Sequence, residues 1–234
     1  MQLYLFFALH WIHVLATVAW LGSLYFFNFF LTAFLEKTRP EVRVEVFSML
    51  VPLALRGFNW STFATVVTGW LLYFHSLNTL GIAVFFSWPY GLAISVGALL
   101  GTVMFLNGWL IMHPKQELVV KSAIRVVKGE EPIPGAAVFS RHVVLTSRVN
   151  LLLSIPTLFL MVAATHDPPM FIMTAASAPI WFWMIILVII KAVEINPIIG
   201  PRGESKSPLE TLRGALTAGF ILLAVFYILI RTVL

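Results

Sequence analysis

Six histidines carry most of the chemical potential of this chain, which contains no cysteine. His10 and His13 are three residues apart in the first apolar stretch, so a helix places them on one face. His75 and His166 stand near the ends of two further apolar stretches, and His113 and His142 flank the longest polar loop. Imidazole is an axial ligand for haem and a good ligand for copper or zinc. The absence of cysteine excludes disulfides, Cys-ligated zinc, iron–sulfur clusters and covalent c-type haem attachment within this chain.

The candidate cofactor-binding residues are His13, His75, His166, His10 and Trp20. Trp20 follows His13 by seven residues and lies on the same helical face, two turns further along. It can wall a haem pocket or simply pack. As metal ligands the candidates are His13, His166 and His75. The stretch His166-Asp167-Pro168-Pro169-Met170 with Met173 adds two thioethers, which favour Cu(I). Copper ranks behind haem b, because eight methionines in so apolar a chain cluster readily by chance. His113 and His142 fit an interfacial role against headgroups and water.

Arg148 and Asn150 lie about two turns into the fourth apolar stretch and are the candidate catalytic pair, with Pro156 expected to kink that stretch. Lys191 and Glu194 sit at a similar depth in the fifth, so an Arg148–Glu194 pair is one expectation and snorkelling of Arg148 to the interface is the other. Asn28, Asn59 and Asn107 are candidates for interhelical hydrogen bonds. No Gly-rich phosphate loop, nucleophile–base triad or carboxylate pair stands out, and hydrolytic chemistry has no support.

The elements that must hold these residues are membrane helices. The chain is 60% hydrophobic and 11% charged, with a mean hydropathy of +0.95. A soluble domain carries roughly 25% charged residues, and a helix of ~20 apolar residues crosses a bilayer. The expected fold class is all-α: one domain, a polytopic bundle of about six transmembrane helices. The spans are 3–35, 58–77, 88–112, 143–165, 178–195 and 209–234, with an interfacial segment at 36–56 and a cytoplasmic loop at 113–141. Residues 1–35 lack a basic leader and a small-residue cleavage site, and are expected to remain as a span. Ala93, Gly97 and Gly101 form a small-residue face for close helix packing.

Charge orients the bundle. Every Lys and Arg except Arg231 lies in the first, third and fifth connections or the adjoining helix ends, 14 of 15 residues. The positive-inside rule therefore places those connections in the cytoplasm and both termini outside. The net charge of +5 and pI near 9.7 follow from this asymmetry rather than from nucleic-acid binding. His10, His13, His75 and His166 then fall in the outer leaflet.

Two stretches resemble the membrane domain of the bacterial membrane-bound urate hydroxylases, the urate oxidase N-terminal domain family. The first is Trp11-Ile-His13 through Trp20-Leu-Gly22-Ser-Leu-Tyr25, a His followed seven residues later by Trp-x-Gly. The second runs from Pro114-Lys-Gln116 to Ser147-Arg148-Val-Asn150, Ser154-Ile-Pro156-Thr-Leu-Phe159-Leu-Met161 and His166. Together they cover spans 1, 3 and 4. His13, Asn150 and His166 match the family patterns; His10, His75, His113 and His142 do not. The first stretch is also similar to protoporphyrinogen-oxidase-like and copper-resistance-D-like membrane proteins.

The resemblance implies haem b or other redox chemistry in the inner (plasma) membrane of a bacterium. Family members carry a C-terminal cytochrome c domain, for which this chain has no cysteine. Electrons would then pass through a partner, a c-type cytochrome or a respiratory complex subunit. The expected function is an integral membrane redox protein holding haem b between helices near the outer leaflet, with His13 and either His166 or His75 as axial ligands. The alternatives are a urate-hydroxylase-like oxidoreductase, a cofactor-free accessory subunit docking through Ala93, Gly97 and Gly101, and a metal or haem transporter. Membrane lipid is an expected partner, and a homo-oligomer is open.

Overall fold

The computed structural model describes residues 2–167, 178–198 and 207–233. Helix is the only regular structure among them. α1 (Gln2–Tyr25) runs through a π-helical turn, π1 (Phe26–Leu31), into α2 (Thr32–Lys37). α3 (Pro40–Glu45) leads through π2 (Val46–Leu50) into α4 (Val51–Leu80). A short α5 (Ile82–Ser87) precedes α6 (Pro89–Leu106), which continues through π3 (Asn107–Met112) into α7 (His113–Val127). Then come α8 (Ala136–His166), α9 (Ile180–Ile198), α10 (Ser207–Glu210) and α11 (Leu212–Val233).

Among the described residues, four helical stretches are long and apolar enough to cross a membrane: Tyr4–Lys37, Pro89–Val127, Ala136–His166 and Leu212–Val233. α4 and α9 are not among them. α4 carries Arg56, Asn59, His75 and Asn78, and a row of hydroxyls, Ser61, Thr62, Thr65 and Thr68, at helical spacing. The three threonines are buried, and each hydroxyl donates to the carbonyl four residues back, at 2.6–2.8 Å. This back-bonding satisfies their polarity without water.

α8 is the axis of the bundle. In its apolar window 67% of residues are buried, against 22% to 39% in the other three stretches. It packs against α6, α7 and α11, while α1 packs chiefly on α4. The core joins Trp20 and Leu24 of α1, Val96 and Leu100 of α6 and Phe226 of α11 to Leu153 of α8. Large apolar side chains such as Phe7, Trp11, Val18, Trp60 and Phe220 face outward, as lipid contact requires.

Several expected boundaries shift. The stretch 113–141, expected as a loop, is mostly helix: α7 extends the third span, and only 128–135 lies outside α7 and α8. That turn uses positive φ at Gly129 and Gly135, and the Arg125–Glu130 ion pair and an Ile133 N–H···Ser122 Oγ bond tie it down. The 36–56 segment is likewise the helical approach to α4, with its break at Thr38–Arg39. A proline in a helix removes an N–H and clashes with the carbonyl four residues back. Both prolines that signal a stop here, Pro52 and Pro114, instead follow π turns directly. Val51 N–H and His113 N–H each reach back five residues, to Val46 and Gly108. The wider turn moves the carbonyls aside and lets the helix continue.

The small-residue face of α6 is covered in part by α8. Ala93 and Gly97 are buried, and a Cβ at Gly97 would lie 2.8 Å from Met161 Cε of α8. At Gly101 a Cβ would meet nothing within 4 Å.

Candidate cofactor site and an inner cavity

His13 is half-buried against α4. Its Nδ1 lies 3.0 Å from the Thr65 carbonyl oxygen and 3.0 Å from Thr68 Oγ1. A carbonyl only accepts, so Nδ1 carries the proton and Nε2 presents its lone pair. Metal-ligating histidines are oriented in this same way, by an acceptor on the nitrogen opposite the ligating one. α4 makes room with Gly69: a Cβ there would lie 2.9 Å from His13 Cε1.

The other outer histidines are placed differently. Phe6 stacks on His75 with ring centroids 4.6 Å apart and meets His10 edge-on at 5.9 Å, so those two imidazoles flank one phenyl ring. His75 lies six residues beyond Gly69 along α4, about 9 Å at the rise of a helix. It is therefore level with Phe6 rather than with His13. His166 closes α8, exposed, with Nδ1 near Thr165 Oγ1 (2.8 Å) and the Val162 carbonyl (3.2 Å).

α1 and α8 are registered by a bond between Tyr25 Oη and Ser154 Oγ at 3.1 Å. His13 precedes Tyr25 by twelve residues, and His166 follows Ser154 by twelve. The two helices are antiparallel, so both histidines lie about 18 Å outward of that bond. The depth condition for a shared axial site thus favours His166 over His75.

His13, His75 and His166 do not assemble as a three-ligand metal group. No cluster of three or more His, Asp or Glu side chains forms one among the described residues. The candidate thioethers Met170 and Met173 lie outside the described residues.

Trp20 is 3% exposed, and its indole N–H has no hydrogen-bond partner among the described residues. An orphaned buried donor costs roughly 1–3 kcal/mol. A group seated beside His13 and extending inward would meet it about 10 Å away, seven residues along the helix. The lone pair of His13 Nε2, the His166 imidazole and the unmet Trp20 N–H are the groups that a haem b would engage if one were held here.

Arg148 and Asn150 do not converge on one site. Arg148 donates to the Leu209 carbonyl at 2.8 Å and to the Glu210 carbonyl, while Arg141 pairs with the Glu210 carboxylate. These contacts hold the start of α10 and α11 and take Arg148 away from Glu194. Asn150 is fully buried in a polar knot. Asn107 Nδ2 donates to Asn150 Oδ1 and to Glu194 Oε1, both at 2.9 Å, and Asn150 Nδ2 donates to the Met104 carbonyl at 3.0 Å. The knot ties π3, α8 and α9 together.

Asn28 likewise donates to Ser147 of α8 at 2.9 Å, and Asn59 lies 3.3 Å from His113. All three asparagines bridge helices, as their types suggest. His113 also lies 3.6 Å from Glu117, and His142 lies 3.3 Å from Lys115 Nζ. The carbonyl freed by Pro156, that of Leu152, does not line a cavity. Gly219 of α11 covers it, and a Cβ at Gly219 would stand 2.8 Å from that oxygen.

A cavity of about 300 Å³ does lie at the inner end, between π1, π2, α4, α7 and α8. Phe27, Phe47, Phe58, Met112, Val144 and Gln116 are among its walls, and the exposed Glu36 and Arg43 stand at its mouth. Residue types alone did not reveal it, because its walls come from many elements scattered along the chain and are largely apolar. The signal available beforehand was the pair of helical prolines, which mark the π turns beside it.

No family model matches the chain, and no curated protein or solved structure matches it.

Proposed function

We propose that this is an integral membrane redox protein that holds haem b near the outer leaflet, with His13 and His166 as axial ligands, and exchanges electrons with a respiratory partner or c-type cytochrome. The observation that carries it is the His13 Nδ1 hydrogen bond to the Thr65 carbonyl, which leaves Nε2 free to ligate. The equal depth of His166 supports the choice of second ligand. Haem b, when bound, supplies reversible one-electron exchange. The chain's own part is to fix the His13 tautomer through Thr65 and Thr68, to hold α1 against α8 at Tyr25–Ser154, and to keep water from the inner side with the packed core around Trp20.

The topology in this reading is six spans with both termini outside, in a bacterial inner membrane. The confinement of Lys and Arg to alternate connections supports it, and α4 crosses despite its hydroxyls because they are bonded internally.

The test is a dithionite-reduced minus air-oxidised visible spectrum of protein made with haem supplied and purified in mild detergent. A sharp α-band that disappears in His13→Ala is the expected result. A flat spectrum from folded protein would overturn the proposal.

A further inference from the structure

We infer that the inner cavity is a binding site for a lipid-soluble phenol, the hydroquinone class included. The inference does not depend on the haem reading, since the cavity lies at the opposite end of the bundle from His13. Its volume, about 300 Å³, is at the lower end of the range for small-molecule sites. Phe27 and Phe58 meet edge-to-face with centroids 6.3 Å apart, and Phe47 faces the same space from π2. Such a wall favours a flat aromatic ring over a lone acyl chain.

A second, independent feature specifies the polar end of the ligand. Gln116 Oε1 is buried and has no hydrogen-bond partner among the described residues. It is an acceptor, so only a ligand that donates can satisfy it. Two other polar side chains on the wall are already engaged: Asn28 donates to Leu24 O and Ser147, and Thr32 donates to Phe27 O. Arg43 and Glu36 line the mouth with opposite charges, and Arg43 also donates to the Leu35 carbonyl at 2.6 Å, so the mouth carries no net charge to draw an anionic headgroup. The cavity therefore matches a neutral ring bearing a hydroxyl better than an anionic lipid. An apolar tail can leave between α2 and α3, whose residues line the rim.

The test uses para-nonylphenol and its methyl ether, which differ only in the hydroxyl hydrogen and one methyl group. Binding of each is measured by titration calorimetry on the full chain in lipid nanodiscs, with empty nanodiscs subtracted. The phenol is expected to bind at least tenfold more tightly than the ether, and Gln116→Leu to abolish that ratio. Val144→Trp, which fills the cavity, is expected to remove saturable binding of both. Equal affinity of the two probes for the wild-type protein would overturn the inference and mark the cavity as an acyl-chain slot, and no saturable binding would overturn it as well. The comparison on the wild-type chain stands even if a variant does not fold.

Discussion

Gly69→Ala is a sharp probe of how α4 presents His13. A Cβ at Gly69 would sit 2.9 Å from His13 Cε1 and 3.4 Å from Nδ1, whereas ordinary carbon contact begins near 3.4 Å. The ring must retreat by about 0.5 Å, the difference between 3.4 and 2.9 Å. Its Nδ1 is held at 3.0 Å by both Thr65 and Thr68, so that retreat stretches at least one bond toward the limit of about 3.5 Å. Losing one such bond costs about 0.5–1.5 kcal/mol, and overpacking adds to it, for a total near 1–3 kcal/mol.

Gly97→Ala is the matched control. There the nearest atom, at 2.8 Å, is the terminal methyl of Met161, which can swing away. Stability is read from reversible unfolding in mixed micelles, and His13 geometry from the α-band position of the haem-loaded protein. Gly69→Ala should lower both the midpoint and the haem occupancy, while Gly97→Ala changes neither by much. Equal and small effects from the two substitutions would show that His13 is not clamped against α4.

The remaining predictions concern the second ligand, the oriented tautomer and the polar knot. His166→Ala should leave haem bound through His13 but shift its spectrum from six- to five-coordinate, whereas His75→Ala should leave the spectrum unchanged; the reverse pattern would reassign the ligand. Thr68→Val keeps shape and removes one acceptor, so haem affinity should fall on the order of tenfold, measured by haem transfer to apomyoglobin. Asn107→Leu strands Asn150 and Glu194 at once and should cost about 1–3 kcal/mol, with a double-mutant cycle against Asn150→Leu showing strong coupling rather than additivity. Arg148→Met should cost about 1 kcal/mol in micelle unfolding with the spectrum intact, because Arg148 serves the start of α10 and α11; loss of the haem signal would return it to the cofactor site.

Much of the helical architecture was readable from hydropathy, because runs of apolar residues in a chain this poor in charge have few alternatives to membrane-length helices. Helix ends were not. Residues 113–127 read as a polar loop since Pro114 and four charged residues punctuate them, yet a π turn lets the helix run through. For the site, His13 stood out because an imidazole deep in an apolar stretch needs a partner. Its partners, a backbone carbonyl at Thr65 and a hydroxyl at Thr68, could not be inferred from types. Arg148 and Glu194 looked paired because opposite charges at one depth attract, but the Leu209 and Glu210 carbonyls compete for the arginine, and an asparagine supplies the carboxylate. The inner cavity was invisible because a void has no residue of its own.

The threonine ladder of α4 bears on biogenesis. A helix whose middle is lined with Thr62, Thr65 and Thr68 offers the translocon a weak case for lateral release into lipid. Its polar edge is matched by α1, which is made before it and has no charge between Leu3 and Leu35. α1 would then be waiting in the bilayer as a template, and α4 would enter as its hairpin partner rather than alone. In that order of assembly the His13 contact with Thr65 and Thr68 forms early, and defects there would appear first as failed insertion and turnover of the nascent chain.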